Sequence, residues 1–109
     1  MWHPTVRDVI IAHQTVKDTT RVRTDGFRRS QESGLENIKK VLEKAREEQD
    51  VYRCAAVYLK EIIEKHPFND GNKRTAIVLT TRFLEENNGS FEPHKVQETD
   101  DIYSVIKWS

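Results

Sequence analysis

Apolar residues recur at helical spacing along most of the chain, and the breaks fall at Gly, Pro, Asn and Asp. Thr5 and Asp8 form a Thr-x-x-Asp capping box, and Val6, Val9, Ile10, His13 and Val16 follow at helical intervals; a first helix is predicted over about 5–18. Residues 19–33 lose the period and carry Arg21, Arg23, Arg28 and Arg29 around Asp25-Gly26, which reads as a long basic loop with room for a short hairpin. Ser33-Gly34-Leu35-Glu36 is a second capping box. Leu35, Ile38, Val41, Leu42 and Ala45 then mark one face of a helix to about 47, whose other face is rich in Lys and Glu. Val51 to Lys65 is apolar on most sides, the pattern of a centrally buried helix, and Pro67 stops it by pushing the preceding residue out of the α region. Ala76, Ile77, Val78, Leu79, Phe83 and Leu84 predict a second central helix, closing near Asn87-Asn88-Gly89 with the glycine at the C-cap. Ser90 to Pro93 reads as extended, and Val96, Ile102, Val105 and Ile106 allow a weak terminal helix within 95–108. With no repeat or linker, the expected architecture is all-α: a small helical bundle, one domain over 1–109, with two central helices joined by an irregular loop.

Composition narrows this without changing it. Lys plus Arg and Asp plus Glu each total 18 of 109 residues, so the net charge is zero although a third of the chain is charged. Leu, Ile, Val and Phe make up 27 residues, enough with balanced charge to place the chain outside the disordered class and to predict a thin core. No apolar run approaches the roughly 18 residues of a membrane span. Met1-Trp2-His3-Pro4 turns polar at once, so no leader is expected. Cys54 is the sole cysteine, so no internal disulfide can form. The expectation is a cytoplasmic protein without membrane contact, for which direct nucleic-acid binding is disfavoured by the zero net charge.

The candidate chemistry lies between the two central helices, in His66-Pro67-Phe68-Asn69-Asp70-Gly71-Asn72-Lys73-Arg74-Thr75. Asn72 is a good N-cap for the second of them, and the free N–H groups of Gly71 to Thr75 make that end positive. Lys73 and Arg74 add two cations to its first turn, where each is disfavoured by a few tenths to about 1 kcal/mol. A bound anion, phosphate above all, resolves the conflict. Gly71 lets the backbone approach the anion and take positive φ. Arg74 offers a bidentate fork and Lys73 a point charge. Asp70 beside a polyphosphate suits Mg2+, which takes one or two carboxylates plus phosphate oxygens. His66 can accept the proton of an attacking hydroxyl, imidazole being suited to that work near neutral pH. Phe68 is an apolar residue amid polar ones and is read as the anchor of the loop. A Walker A loop is excluded, since Gly71-Asn72-Lys73-Arg74-Thr75 lacks the glycine spacing and the preceding strand.

His66 to Arg74 resembles the Fic/Doc signature, His-Pro-Phe-x-Asp/Glu-Gly-Asn-Gly/Lys-Arg, and is most similar to the Doc (death-on-curing) branch. Weaker similarity covers about residues 5–92, including His13. The resemblance implies an all-helical Fic fold and transfer of part of a nucleoside triphosphate, ATP as the first candidate, to a protein hydroxyl. His66 would then be the general base, Asp70 the Mg2+ ligand, and Gly71, Asn72, Lys73 and Arg74 the phosphate holders. Lys73 stands where the AMP-transferring branch has a second glycine, and Ile77 where it has a second arginine. Both are Doc features and imply γ-phosphate transfer, with AMP transfer as the alternative. No Ser/Thr-x-x-x-Glu-Gly/Asn inhibitory motif is present, so the resemblance implies a separate antitoxin chain as inhibitor and a translation elongation factor as target.

Plainer readings stand beside these. The loop could be a capped interhelical turn with solvated charges, His13 a partly buried helix histidine, and Cys54 core filler. The Arg21–Arg29 cluster reads as solvated loop or as a flap over substrate, while Trp2 and Trp108 could seal the bundle or face a partner. A non-catalytic Fic-fold binding module is the alternative of a different class. It needs neither a base nor a metal ligand, and the intact set His66, Asp70, Gly71, Asn72 and Arg74 favours the enzyme.

Overall fold

In the computed structural model the described residues are 1–19, 27 and 30–89. They form four helices: α1 (Val6–Thr19), α2 (Gln31–Arg46), α3 (Val51–Lys65) and α4 (Asn72–Glu86). The all-α expectation holds. The predicted basic loop, except for Phe27 and the residues that join α2, lies outside the described residues, as do the predicted segments after Gly89.

Three of the four helices, α1 to α3, start where a side chain satisfies free backbone donors. Thr5 and Asp8 cap α1 reciprocally: Thr5 N–H donates to Asp8 Oδ2 at 2.8 Å, and Asp8 N–H to Thr5 Oγ1 at 3.3 Å. Burial opposes the charge on Asp8, but hydrogen bonds from Thr5 and the nearby Arg82 outweigh it and hold the carboxyl below its ordinary range. Arg82 on α4 reaches Asp8 at 3.2 Å, tying the two helices. Asp50 caps α3 by accepting from the N–H groups of Tyr52 and Arg53. For α2 the prediction needs correction. The helix begins at Gln31, two residues before Ser33, because Ser30 is the N-cap and its hydroxyl accepts the Ser33 N–H. The end of α4 is corrected too. Asn87 is the C-cap, and the left-handed residue is Asn88 (φ 61°), not Gly89. Gly89 N–H returns to Leu84 O and Asn88 N–H to Glu85 O, the paired bonds of a Schellman motif.

The two most extensively packed helices are α3 and α4; α2 lies against α3, and α1 against α4 and, less closely, α2. Cys54, Ala55, Ala56, Tyr58, Leu59 and Ile62 of α3 are all buried, so this helix is enclosed on most sides as its pattern requires. Ala76, Leu79, Phe83 and Leu84 supply the facing side of α4. Cys54 is fully buried, and burial pushes its thiol up, which suits a core residue. The Tyr58 hydroxyl and His3 Nδ1 share a hydrogen bond of 2.7 Å that holds the N-terminal segment on the bundle. Burial lowers the His3 pKa, favouring the neutral ring. Trp2 is stitched to the end of α4 by two hydrogen bonds with the Asn87 side chain, beneath the Arg82 guanidinium.

One charge is buried among the apolar residues. Glu61 on α3 accepts from Lys44 Nζ of α2 at 2.6 Å, with Lys65 Nζ at 3.7 Å. Burial alone would raise its pKa, but the hydrogen bond and charge of Lys44, with Lys65, outweigh it and hold the carboxyl below its ordinary 4.5. A carboxyl depressed in the folded state stabilises it fully above the ordinary value, and that stability is lost as pH falls through the folded one. Glu61→Gln is therefore expected to cost about 1–2 kcal/mol at neutral pH, the exposed Lys44 end limiting the effect. It should also flatten the acid limb of the stability curve below pH 4.5. Denaturant melts of both proteins from pH 3 to 7 check this; parallel curves would dismiss the clamp.

Candidate functional site

The loop between α3 and α4 begins with a strained residue. His66 caps α3 in the left-handed region (φ 53°, ψ 56°), its N–H still donating to Ile62 O. Pro67, having no N–H, cannot extend the helix. For a residue with a Cβ the left-handed region costs about 1–2 kcal/mol, though histidine tolerates it better than most. The cost turns the imidazole to the exposed side of the loop. His66 Nδ1 lies 3.4 Å from Ile63 O, a long contact in which a carbonyl can only accept. With hydrogen on Nδ1, Nε2 would carry the lone pair that a general base needs.

Phe68 turns the other way. It is 1% exposed, and its ring lies flat against His13 of α1, with centroids 3.8 Å apart and planes at 3°. Phe27, from the segment between α1 and α2, stacks on it at 5.4 Å and pairs with it as an antiparallel bridge. The space for Phe27 exists because α2 carries Gly34 there, where a Cβ would come within 2.7 Å of the Phe27 ring carbon Cγ.

Asn72 departs from its expected role. It is the first residue of α4 and not the cap, which is Gly71, in the left-handed region at φ 77°. The Asn72 side chain is buried; its Oδ1 accepts the Phe68 N–H at 3.0 Å and its Nδ2 donates to Phe68 O at 2.8 Å. Both halves of the amide are spent on shaping the loop, so only its backbone N–H remains to meet an anion. With the helix starting one residue earlier than expected, the Asn72 side chain is bonded back to the Phe68 backbone and does not cap the helix.

The outer surface of the loop carries the remaining groups. Asp70 is exposed, and its Oδ1 accepts the Gly71 N–H at 2.8 Å. Lys73 and Arg74 are exposed in the first turn of α4, which has no acidic residue and no capping side chain. No ion pair among the described residues engages either cation. Nor do three metal-ligating side chains gather anywhere among the described residues. A cation at Asp70 would thus draw its other ligands from phosphate oxygens and water, which fits Mg2+.

A residue of another helix also reaches the loop: His13 of α1. It is 2% exposed, and its Nε2 lies 2.9 Å from the Asp70 carbonyl oxygen, across 57 residues of sequence. Its place on the apolar stripe of α1 marks it as inward-facing; nothing in the spacing says what it meets.

Fold and loop together define a helical bundle with an exposed histidine, an exposed carboxylate and a cationic helix start that no side chain caps. The Fic/DOC family model matches residues 4–84, taking in α1 to α3, the loop and nearly all of α4. The chain belongs to the Fic/DOC family, whose members are typically transferases. No curated protein and no solved structure matches it. No helix among the described residues is long and apolar enough to cross a membrane.

Proposed function

We propose that this protein is a Doc-type toxin that transfers the γ-phosphate of a nucleoside triphosphate, ATP first, to a hydroxyl of a target protein such as a translation elongation factor. The observation that carries the proposal is the start of α4: no capping side chain, no acidic residue in the first turn, and Lys73 and Arg74 both exposed there. Such an end is a ready anion seat, stabilised once phosphate oxygens meet its N–H groups and cations.

The loop residues divide the work. Gly71, Asn72, Lys73 and Arg74 hold phosphates, Asn72 through its backbone N–H and the others through backbone or side-chain donors. Asp70 supplies the single protein carboxylate for Mg2+, which when bound neutralises phosphate charge. His66 Nε2 takes the proton of the attacking hydroxyl while the phosphoryl group leaves the nucleotide and joins that oxygen. Phe68 keeps the loop seated throughout. Lys73 and the half-buried Ile77, in place of a glycine and a second arginine, support phosphoryl over AMP transfer. A separate antitoxin chain would supply inhibition, in cytoplasmic surroundings.

Incubation with α- and γ-labelled ATP separately, in cell extract, tests the choice. Label entering protein from the γ position alone is expected. Label from the α position would establish AMP transfer instead, and none from either would leave the binding-module reading standing.

A further inference from the structure

We propose that His13 is a positioning residue for the phosphate seat, acting by fixing the peptide plane between Asp70 and Gly71. The inference rests on the reading of the loop as a nucleotide-phosphate site and adds a residue from another helix to it.

The Asp70 carbonyl can only accept a hydrogen bond, so the 2.9 Å contact requires His13 Nε2 to carry hydrogen and donate it. The ring cannot swing away. It is 2% exposed, pressed flat on Phe68, and carried by a helix whose neighbouring Val9, Ala12 and Val16 are all buried. The bond therefore holds the Asp70 carbonyl toward the interior.

In a trans peptide the C=O and the following N–H point in opposite directions. A carbonyl drawn inward thus sends the Gly71 N–H outward, where it meets the Asp70 carboxylate at 2.8 Å. Asp70, Lys73 and Arg74 are all exposed around this donor's position in the chain. Gly71 cannot secure this orientation itself. With no Cβ it tolerates positive and negative φ alike, so the residue that permits the turn also permits the peptide to flip. A flipped peptide would present a carbonyl oxygen to a bound phosphate in place of a donor. His13 opposes the flip from the carbonyl side, as the Asp70 carboxylate does from the N–H side.

Two substitutions separate the donor from the ring. His13→Phe keeps an aromatic ring against Phe68 and removes the donor; His13→Gln keeps an N–H near the Nε2 position and removes the ring. His13→Leu replaces the first if phenylalanine does not fold. Two quantities are read: Mg·ATP affinity by titration calorimetry, and the Gly71 amide signal by 15N NMR without ligand. His13→Phe is expected to weaken Mg·ATP binding about tenfold or more, the scale of a buried hydrogen bond lost, and to broaden or double the Gly71 signal. His13→Gln should stay within about threefold in affinity, well under the loss of one hydrogen bond, and keep a single Gly71 signal. Wild-type affinity and an unchanged Gly71 signal in His13→Phe would overturn the proposal, as would equal losses in both variants. If the wild-type protein binds no Mg·ATP, the phosphate-site reading fails. The Gly71 signal still decides whether His13 fixes the peptide.

Discussion

His66→Ala is expected to reduce transfer of labelled phosphate to protein by about a hundredfold or more, the range of a lost general base, while the protein stays folded and still binds Mg·ATP. The imidazole is exposed and, among the described residues, makes one long contact, at 3.4 Å to Ile63 O, so little packing is lost with it. The left-handed backbone at φ 53° is a cost for any residue with a Cβ at this helix end. His66→Gly relieves it, so that variant should be inactive yet no less stable than the wild type. Activity and melting temperature measured together check both statements. Full activity in His66→Ala would remove the base from the mechanism.

Phe68→Ala is expected to have the largest effect on stability, about 3–5 kcal/mol for a buried phenylalanine that leaves a cavity. At the size of this domain that lowers the melting temperature by roughly 10 °C or more. The side chain is held between His13 and Phe27, and its own backbone is gripped by the Asn72 amide, so no neighbour is free to fill the space. Phe68→Leu should recover part of the loss. A melting temperature within 2 °C of wild type for Phe68→Ala would show that the loop is held by its hydrogen bonds alone, since even the smallest usual core deletion exceeds that shift.

Much of this was legible in the chain, for local reasons. The end of α3 follows from Pro67, and its central burial from an apolar pattern that leaves few polar positions. The loop string exposes its chemistry because two cations in the first turn of a helix contradict the local electrostatics. The errors are those of competing local choices. Ser30 and Ser33 are both capable caps three residues apart, and the hydroxyl of the first satisfies the N–H of the second. Asn72 and Gly71 compete in the same way, and the winner is set by the grip of Asn72 on Phe68, a contact no cap rule contains. Asn88 takes the left-handed turn beside a glycine because Gly89 N–H is needed on Leu84 O.

What the sequence hid is tertiary. Glu61 looks like one more polar residue of a charged helix until Lys44 of α2 is placed against it. His13 lies in a stretch with no motif of its own, and its meaning depends on a carbonyl 57 residues away. Such pairings leave no periodicity, so they become visible only when the helices are packed.

The most direct test needs no knowledge of the target protein. Titration calorimetry with Mg·ATP compares the wild-type chain with a Lys73→Ala, Arg74→Ala double variant. The expected result is saturable binding by the wild type and a loss of about a hundredfold in the double variant, two charge-assisted contacts being removed. No binding by the wild type, or equal binding by the variant, would contradict a phosphate site at the start of α4.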